Sequence, residues 1–179
     1  MRTVACCWRR GDGIVCHRPA VAQSRQTSPL SCGVDPLDRY LQTQATQDIR
    51  RRIANCFVAT SANSNIIAGY YTFSAASVPM LDLPSETAKR LPRYPVVPAA
   101  LIGRLAIDHQ YRGRGLGAAL LFDAIARAAR ADTAIFAVLV DAKDDAAAAF
   151  YRHHGFQPFA ARPLTLFLPI GTALKLLEG

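Results

Sequence analysis

The chain has 179 residues, which suits a single core of ordinary size. Although 51% of its residues are hydrophobic, they are spread over short segments, and none approaches the roughly eighteen uninterrupted apolar residues of a membrane span. Its 21 Lys and Arg against 13 Asp and Glu give a net charge of +8, which favours a polyanionic partner and, with no acidic run, disfavours a polycationic substrate.

In chain order, residues 1–28 read as an irregular basic arm with at most a short strand over 13–16. Arg9, Arg10, Asp12 and His17 interrupt any apolar region there, so a signal peptide is not expected. Cys6, Cys7, Cys16, Cys32 and Cys56 form an odd set without a metal-ligand pattern, so a reduced, cytoplasmic protein without a zinc site is expected. Asp35 and Pro36 open the first helix, with Asp35 as N-cap and Pro36 at the first helical position. Leu37, Leu41 and Ala45 mark one face of it. Residues 56–59 and 66–73 read as two strands of a hairpin joined through 61–65. Five prolines (Pro79, Pro84, Pro92, Pro95 and Pro98) punctuate the next segment and leave room for a short helix over 85–91.

The second half alternates. A strand over 100–107 precedes a helix over 116–130, whose Leu116, Leu120, Ala124 and Ala128 form an apolar stripe. Asp123, Arg127 and Arg130 lie opposite, on a face expected to be wet. A strand over 135–140, a helix over 144–153, strands over 156–159 and 165–168, and a closing helix over 170–177 follow. Strands that alternate with helices in this way define an α/β chain.

Between the strand over 100–107 and its following helix lies Gln110-Tyr111-Arg112-Gly113-Arg114-Gly115-Leu116-Gly117-Ala118. Strand, glycine-rich turn and helix form the context in which backbone N–H groups, at the positive end of a helix, hold a pyrophosphate. A plain strand-to-helix turn is the alternative reading. No Gly-Lys-Ser/Thr ending follows, which excludes a P-loop, and the position past mid-chain argues against a dinucleotide fold.

Further on, Asp141-Ala142-Lys143-Asp144-Asp145 leads into Phe150-Tyr151-Arg152-His153-His154-Gly155-Phe156. With Arg112-x-x-Gly115-x-Gly117 and then Phe150-Tyr151-x-x-x-Gly155-Phe156, the chain resembles the GNAT acyltransferase superfamily over residues 30–168. The resemblance implies a mixed α+β fold: a central sheet of about six or seven strands with splayed middle strands, and about four helices. It implies one domain over 29–179 after the arm of residues 1–28. It also implies acetyl-coenzyme A as co-substrate, without a metal, with its pyrophosphate on Arg112, Gly113, Arg114, Gly115, Leu116, Gly117 and Ala118. Phe150 would lie on the coenzyme, although its place on an Ala-rich helix also reads as core, and Tyr151 would face the sulfur. Asp144 stands where many members carry Asn against the coenzyme.

The N-terminal third, Leu30-Ser31-Cys32-Gly33-Val34-Asp35-Pro36-Leu37-Asp38-Arg39-Tyr40-Leu41 followed by the Gln-rich run over 42–48, is similar to the GNAT-type toxins of bacterial toxin–antitoxin pairs. Gly69-Tyr70-Tyr71-Thr72-Phe73 and the run from Ile102 to Asp108 continue the likeness. In those toxins the acceptor is the free amine of an aminoacyl-tRNA, and its acetylation stops translation. The likeness implies a ribbon-helix-helix antitoxin, DNA contact only through the antitoxin complex, no membrane, and leaves a homodimer open. Lys89, Arg90 and Arg93 are the candidate tRNA contacts, since tRNA affinity rests largely on phosphate neutralisation. A protein amine or a small amine is the alternative acceptor.

The chemistry can be assembled from residue types. An α-amine, with a pKa of about 7.7–8.0, is partly neutral in the cell, so a dedicated base is optional. Backbone N–H groups of Leu105, Ala106 and Ile107 are candidates for the oxyanion, and the Tyr151 hydroxyl for the departing thiolate. His153 and His154 read as polar helix-end residues and His109 as a surface residue. Arg104 reads equally as a strand-end ion pair or a tRNA contact.

Overall fold

The protein is described from a computed structural model that covers residues 14–17, 30–61 and 66–178. Its strands are β1 (Ile14–His17), β2 (Asn55–Ser61), β3 (Ile67–Pro79), β4 (Val96–Ile107), β5 (Ala137–Asp141), β6 (Gln157–Phe159) and β7 (Arg162–Pro169). They form one mixed sheet in the order β1-β2-β3-β4-β5-β7-β6. The β1/β2, β2/β3, β5/β7 and β6/β7 pairs are antiparallel, whereas β4/β5 is parallel. The β4/β5 ladder runs from Ala99–Ala137 to Ile102–Val140, while β4 itself continues to Ile107.

Among the described residues six helices accompany the sheet: α1 (Asp35–Thr43), α2 (Ala45–Arg50), α3 (Ser85–Ala88), α4 (Leu116–Ala129), α5 (Asp145–His153) and α6 (Ile170–Glu178). The resemblance implied about four and the chain-order reading gave five. The sixth is α2, because the Gln-rich run is helical again from Ala45, which is buried. The anticipated short strand near residue 14 exists as β1, so part of the N-terminal arm lies in the sheet. Of the expected hairpin connection, residues 62–65 lie outside the described residues. Among the described residues no helix is long and apolar enough to cross a membrane.

The chain divides into two compact units, residues up to 74 with 104–124, and residues 75–103 with 125–179. In the first, Leu30, Cys32, Tyr40, Ala45, Cys56, Val58, Tyr70 and Ala106 form one apolar cluster. Its tyrosines satisfy their hydroxyls: Tyr70 donates to the Leu37 carbonyl and Tyr40 to the Asp48 carboxylate, each at 2.8 Å. Burial pushes the Cys56 thiol up to about 12 and Cys32 to about 11, so both stay protonated. In the second unit, Val78, Leu83, Val97, Ala99, Ala137, Leu139, Phe159 and Phe167 form the cluster, with Phe159 stacked on Phe167 at 4.8 Å.

Two local expectations change. Helix α1 is capped by Val34 without a side-chain bond, and Asp35 is its first residue rather than its N-cap. The carboxylate that organises this end belongs to Asp38, which accepts from the Cys32 N–H at 2.9 Å. On α4 the stripe Leu116, Leu120, Ala124 and Ala128 is buried as expected, but Asp123 is buried too. It accepts a 2.5 Å hydrogen bond from the Tyr71 hydroxyl, so the helix face read as wet is partly interior. A polar residue opposite an apolar stripe reads as exposed until a buried donor on a neighbouring strand turns up.

Gly69 on β3 sits where a side chain has no room. A Cβ there would lie 2.8 Å from the Ala106 carbonyl oxygen and 2.8 Å from Ile107 Cδ1. The oxygen is backbone and cannot swing aside. Gly69→Ala should therefore lower the urea midpoint by the equivalent of roughly 1–3 kcal/mol without changing the slope. A variant as stable as the parent would show that β4 yields at this point.

Candidate coenzyme and acceptor sites

In the first unit, β4 ends at Ile107 and hands over to Asp108, a buried residue that serves three segments. Its N–H donates to the Ala68 carbonyl at 2.9 Å. Its Oδ1 accepts from the Gln110 N–H at 2.9 Å and its Oδ2 from the Ser31 N–H at 3.0 Å. The bond to the N–H two residues on is an Asx turn, which caps the short 3-10 turn His109–Tyr111. The glycine turn follows. Gly113 (φ 72°) and Gly115 (φ 81°) both adopt the left-handed conformation, which L side chains resist by about 1–2 kcal/mol.

Nothing lies within 4 Å of a Cβ placed on Gly113, so its backbone angle rather than crowding within the protein demands glycine. Gly117 is already helical, together with Leu116 and Ala118 in the first turn of α4. The first N–H groups of any helix lack intrahelical acceptors and present a partial positive charge. They are what the turn offers an anion. Arg112 and Arg114 are exposed beside it. The Arg112 guanidinium donates to the Cys32 carbonyl, so this side chain ties the turn to the segment before α1. Arg114 lies 5.6 Å from the Tyr111 ring. Of the oxyanion candidates, Ala106 is buried, and Leu105 and Ile107 are half-buried. The Arg104 guanidinium stacks 3.7 Å from the centre of the Tyr40 ring.

In the second unit, Asp144 caps α5, accepting from the Ala147 N–H at 2.8 Å. The neighbouring Lys143 ammonium, and then this N–H, hold its carboxyl below the usual carboxylate range. Asp144 is thus occupied by its own helix. Tyr151, on the same helix, is buried, with Phe150 at 5.3 Å and Phe156 at 5.7 Å between ring centres. Burial, and then the Asp141 charge, push its hydroxyl up to about 12. It is therefore a proton or hydrogen-bond donor across the physiological range, never an anion. Phe150, whose place on the Ala-rich helix also reads as core, is half-buried and thus less buried than Tyr151; Phe156 is in the core.

His153 is exposed, and His154 Nδ1 lies 2.8 Å from the Phe150 carbonyl, at the helix end. His109 is exposed, with Nδ1 3.0 Å from the Ser31 carbonyl. Lys89, Arg90 and Arg93 are all exposed, between α3 and β4, and Lys89 pairs with Glu86 at 2.9 Å. Among the described residues no group of three or more His, Cys, Asp or Glu could hold a metal. The sequence reading gave no role to Asp108 or to the Arg112–Cys32 contact. An Asp directly after a strand and two residues before a free N–H is a signal for the first; the second joins residues too far apart in sequence to leave one.

A glycine turn between a strand and a helix in the first unit, and a capped helix bearing a buried tyrosine in the second, are the parts of an acetyl-transfer enzyme. The chain belongs to the GNAT acetyltransferase family, whose domain it matches over residues 52–158. It is 34% identical over 159 residues to the tRNA-acetylating toxin of Mycobacterium tuberculosis (strain ATCC 25618 / H37Rv), covering 88% of this chain and 93% of that one. It is 32% identical to the probable toxin TacT of Sinorhizobium fredii (strain NBRC 101917 / NGR234), covering 82% and 86%. Among solved structures it is similar to AtaT complexed with acetyl-methionyl-tRNAfMet, at 27% identity and TM-score 0.84, covering 93% of this chain and 99% of that one. It is also similar to AtaTR bound with acetyl-coenzyme A, at 25% identity and TM-score 0.79, covering 92% and 98%.

The turn yields a direct test. Gly115→Glu adds a side chain where φ is 81° and a negative charge where an anion should sit. Acetyl-coenzyme A binding, measured by calorimetry, should be lost while circular dichroism stays that of a folded protein. Retained affinity in a folded variant would remove the pyrophosphate assignment.

Proposed function

We infer that the protein transfers the acetyl group of acetyl-coenzyme A to the α-amino group of an aminoacyl-tRNA, which removes that tRNA from peptide synthesis. The observation that carries this reading is the likeness, over 88% of the chain, to a relative named for tRNA acetylation. The net charge of +8 supports it, because a tRNA is held chiefly through its phosphates. On this reading residues 29–179 act as one acetyltransferase domain in the cytoplasm, where both substrates occur. The protein is then a toxin, held by a ribbon-helix-helix antitoxin that alone contacts DNA, and it can act as a homodimer.

The neutral α-amine attacks the thioester carbonyl carbon; a C–N bond forms and the carbonyl oxygen becomes an oxyanion. The N–H groups of Leu105, Ala106 and Ile107 stabilise it, while those of the turn from Arg112 to Ala118 hold the pyrophosphate. Collapse breaks the C–S bond, and the Tyr151 hydroxyl donates to the leaving sulfur. An ordinary thiol has a pKa of about 8.5, so outright proton loss from a tyrosine near 12 is uphill by roughly 3–4 units. Tyr151 therefore acts as a hydrogen-bond donor or relay, and the net proton gained by sulfur is the one released by the attacking nitrogen.

Tyr151→Phe keeps the ring and loses only the donor, so turnover should fall by roughly 10²–10⁴ with little change in thermal midpoint. Since burial holds the hydroxyl protonated to about pH 12, the wild-type rate should rise with pH as the acceptor amine loses its proton and show no falling limb before pH 10. Acetylation at the wild-type rate by Tyr151→Phe would make Tyr151 structural.

Neutralising Lys89, Arg90 and Arg93 together should raise KM for charged tRNA and flatten its salt dependence by up to about 2 in the log–log slope. KM for acetyl-coenzyme A should not change. Labelled acetyl-coenzyme A incubated with total charged tRNA tests the acceptor itself. If no aminoacyl group gains label, the acceptor is a protein or small-molecule amine instead.

A further inference from the structure

The segment between β3 and β4 exposes apolar surface that its own packing does not explain. Leu81 is 97% exposed and Tyr94 63%, and Val96, the first residue of β4, 47%. Fraying is not the reason, since Met80, Leu83, Ala88 and Leu91 of the same segment pack on the core of their unit. The Met80 N–H donates to the Pro95 carbonyl at 3.0 Å, so Leu81 and Tyr94 each adjoin a member of one hydrogen-bonded pair. The charges nearby are unevenly compensated. Asp82 is taken up by Arg162 at 2.7 Å and Glu86 by Lys89 at 2.9 Å. Arg90 and Arg93 have no carboxylate partner among the described residues.

We propose that this segment is a stacking platform for the unpaired 3′ end of the tRNA acceptor, with Tyr94 as the face on which a base stacks and Leu81 as its apolar flank. The proposal rests on the aminoacyl-tRNA reading and deepens it. An exposed aromatic ring beside uncompensated cations is the combination that holds single-stranded nucleic acid, because rings stack on bases while cations track the phosphates. An apolar protein partner would have to desolvate Arg90 and Arg93 without returning a counter-charge, which disfavours it. A duplex hides its base faces, so only the unpaired nucleotides next to the aminoacyl ester can use the ring.

The test uses the full chain, charged tRNA and acetyl-coenzyme A in initial-rate measurements. Tyr94→Ala should raise KM for charged tRNA about 5- to 150-fold, the loss expected for one stacked base. Tyr94→Phe should stay within about twofold of wild type, because the ring remains. In both, kcat and KM for acetyl-coenzyme A should hold. The salt slope of Tyr94→Ala should equal that of wild type, since stacking releases no counterions, whereas a merely disordered segment would also displace Arg90 and Arg93 and flatten it. An unchanged KM for charged tRNA overturns the proposal. So does a fall in oligomeric mass by light scattering in Tyr94→Ala or Leu81→Ser, which would assign the patch to a second copy of the chain. Failure of the wild type to acetylate any charged tRNA is a separate result and overturns the underlying reading as well.

Discussion

Three hydrogen bonds at Asp108 hold together the part of the first unit that leads from β4 into the glycine turn. One residue there joins β3 through Ala68, the following 3-10 turn through Gln110, and the segment before α1 through Ser31. Burial makes this arrangement strong and exacting: a carboxylate removed from water must keep its donors, or the cost of its desolvation is left uncompensated. The chain leaves β4 in a fixed direction as a result, and the left-handed glycines at 113 and 115 can turn it into α4. Arg112 returns to the Cys32 carbonyl and closes the same loop of contacts from the other side. An anion site made of backbone N–H groups works only if those groups point correctly before the anion arrives.

The titratable groups divide by what their surroundings permit. Cys32 and Cys56 are pushed up by burial and stay protonated, so neither thiol is a nucleophile in this fold. Tyr151 is pushed up as well, which keeps its hydroxyl a hydrogen-bond donor. The same physical effect silences one kind of side chain and suits another. Asp144 goes the other way, held ionised by Lys143 and by the helix it caps.

Family membership and acceptor choice rest on different parts of the chain. On the proposed reading the glycine turn and the Tyr151 helix address the donor, coenzyme A, and would serve any acetyl transfer from it. The acceptor must be distinguished by surface that the donor never touches, and the segment carrying Lys89, Arg90, Arg93 and Tyr94 exposes all four of these side chains. Function of this kind is grafted on a shared fold rather than dictated by it.

Much was legible in the chain itself. Alternation of apolar runs with glycine and proline punctuation placed β4, α4, α5 and α6 within a few residues and the start of β3, though not its extension to Pro79, and the motif around Gly115 and Tyr151 pointed to the family. These signals are local: a periodicity, a turn preference, a fixed spacing. What tertiary structure decided was non-local. Asp123 reads as a solvent-facing residue until Tyr71, on another element, supplies a buried donor. Asp108 reads as a loop residue until Ser31 and Ala68 meet it, and Gly69 as an ordinary strand glycine until Ala106 comes within 2.8 Å of where its side chain would be. Sequence records each residue's own preferences, whereas the worth of a polar group or the need for a missing side chain is set by neighbours that only folding brings near.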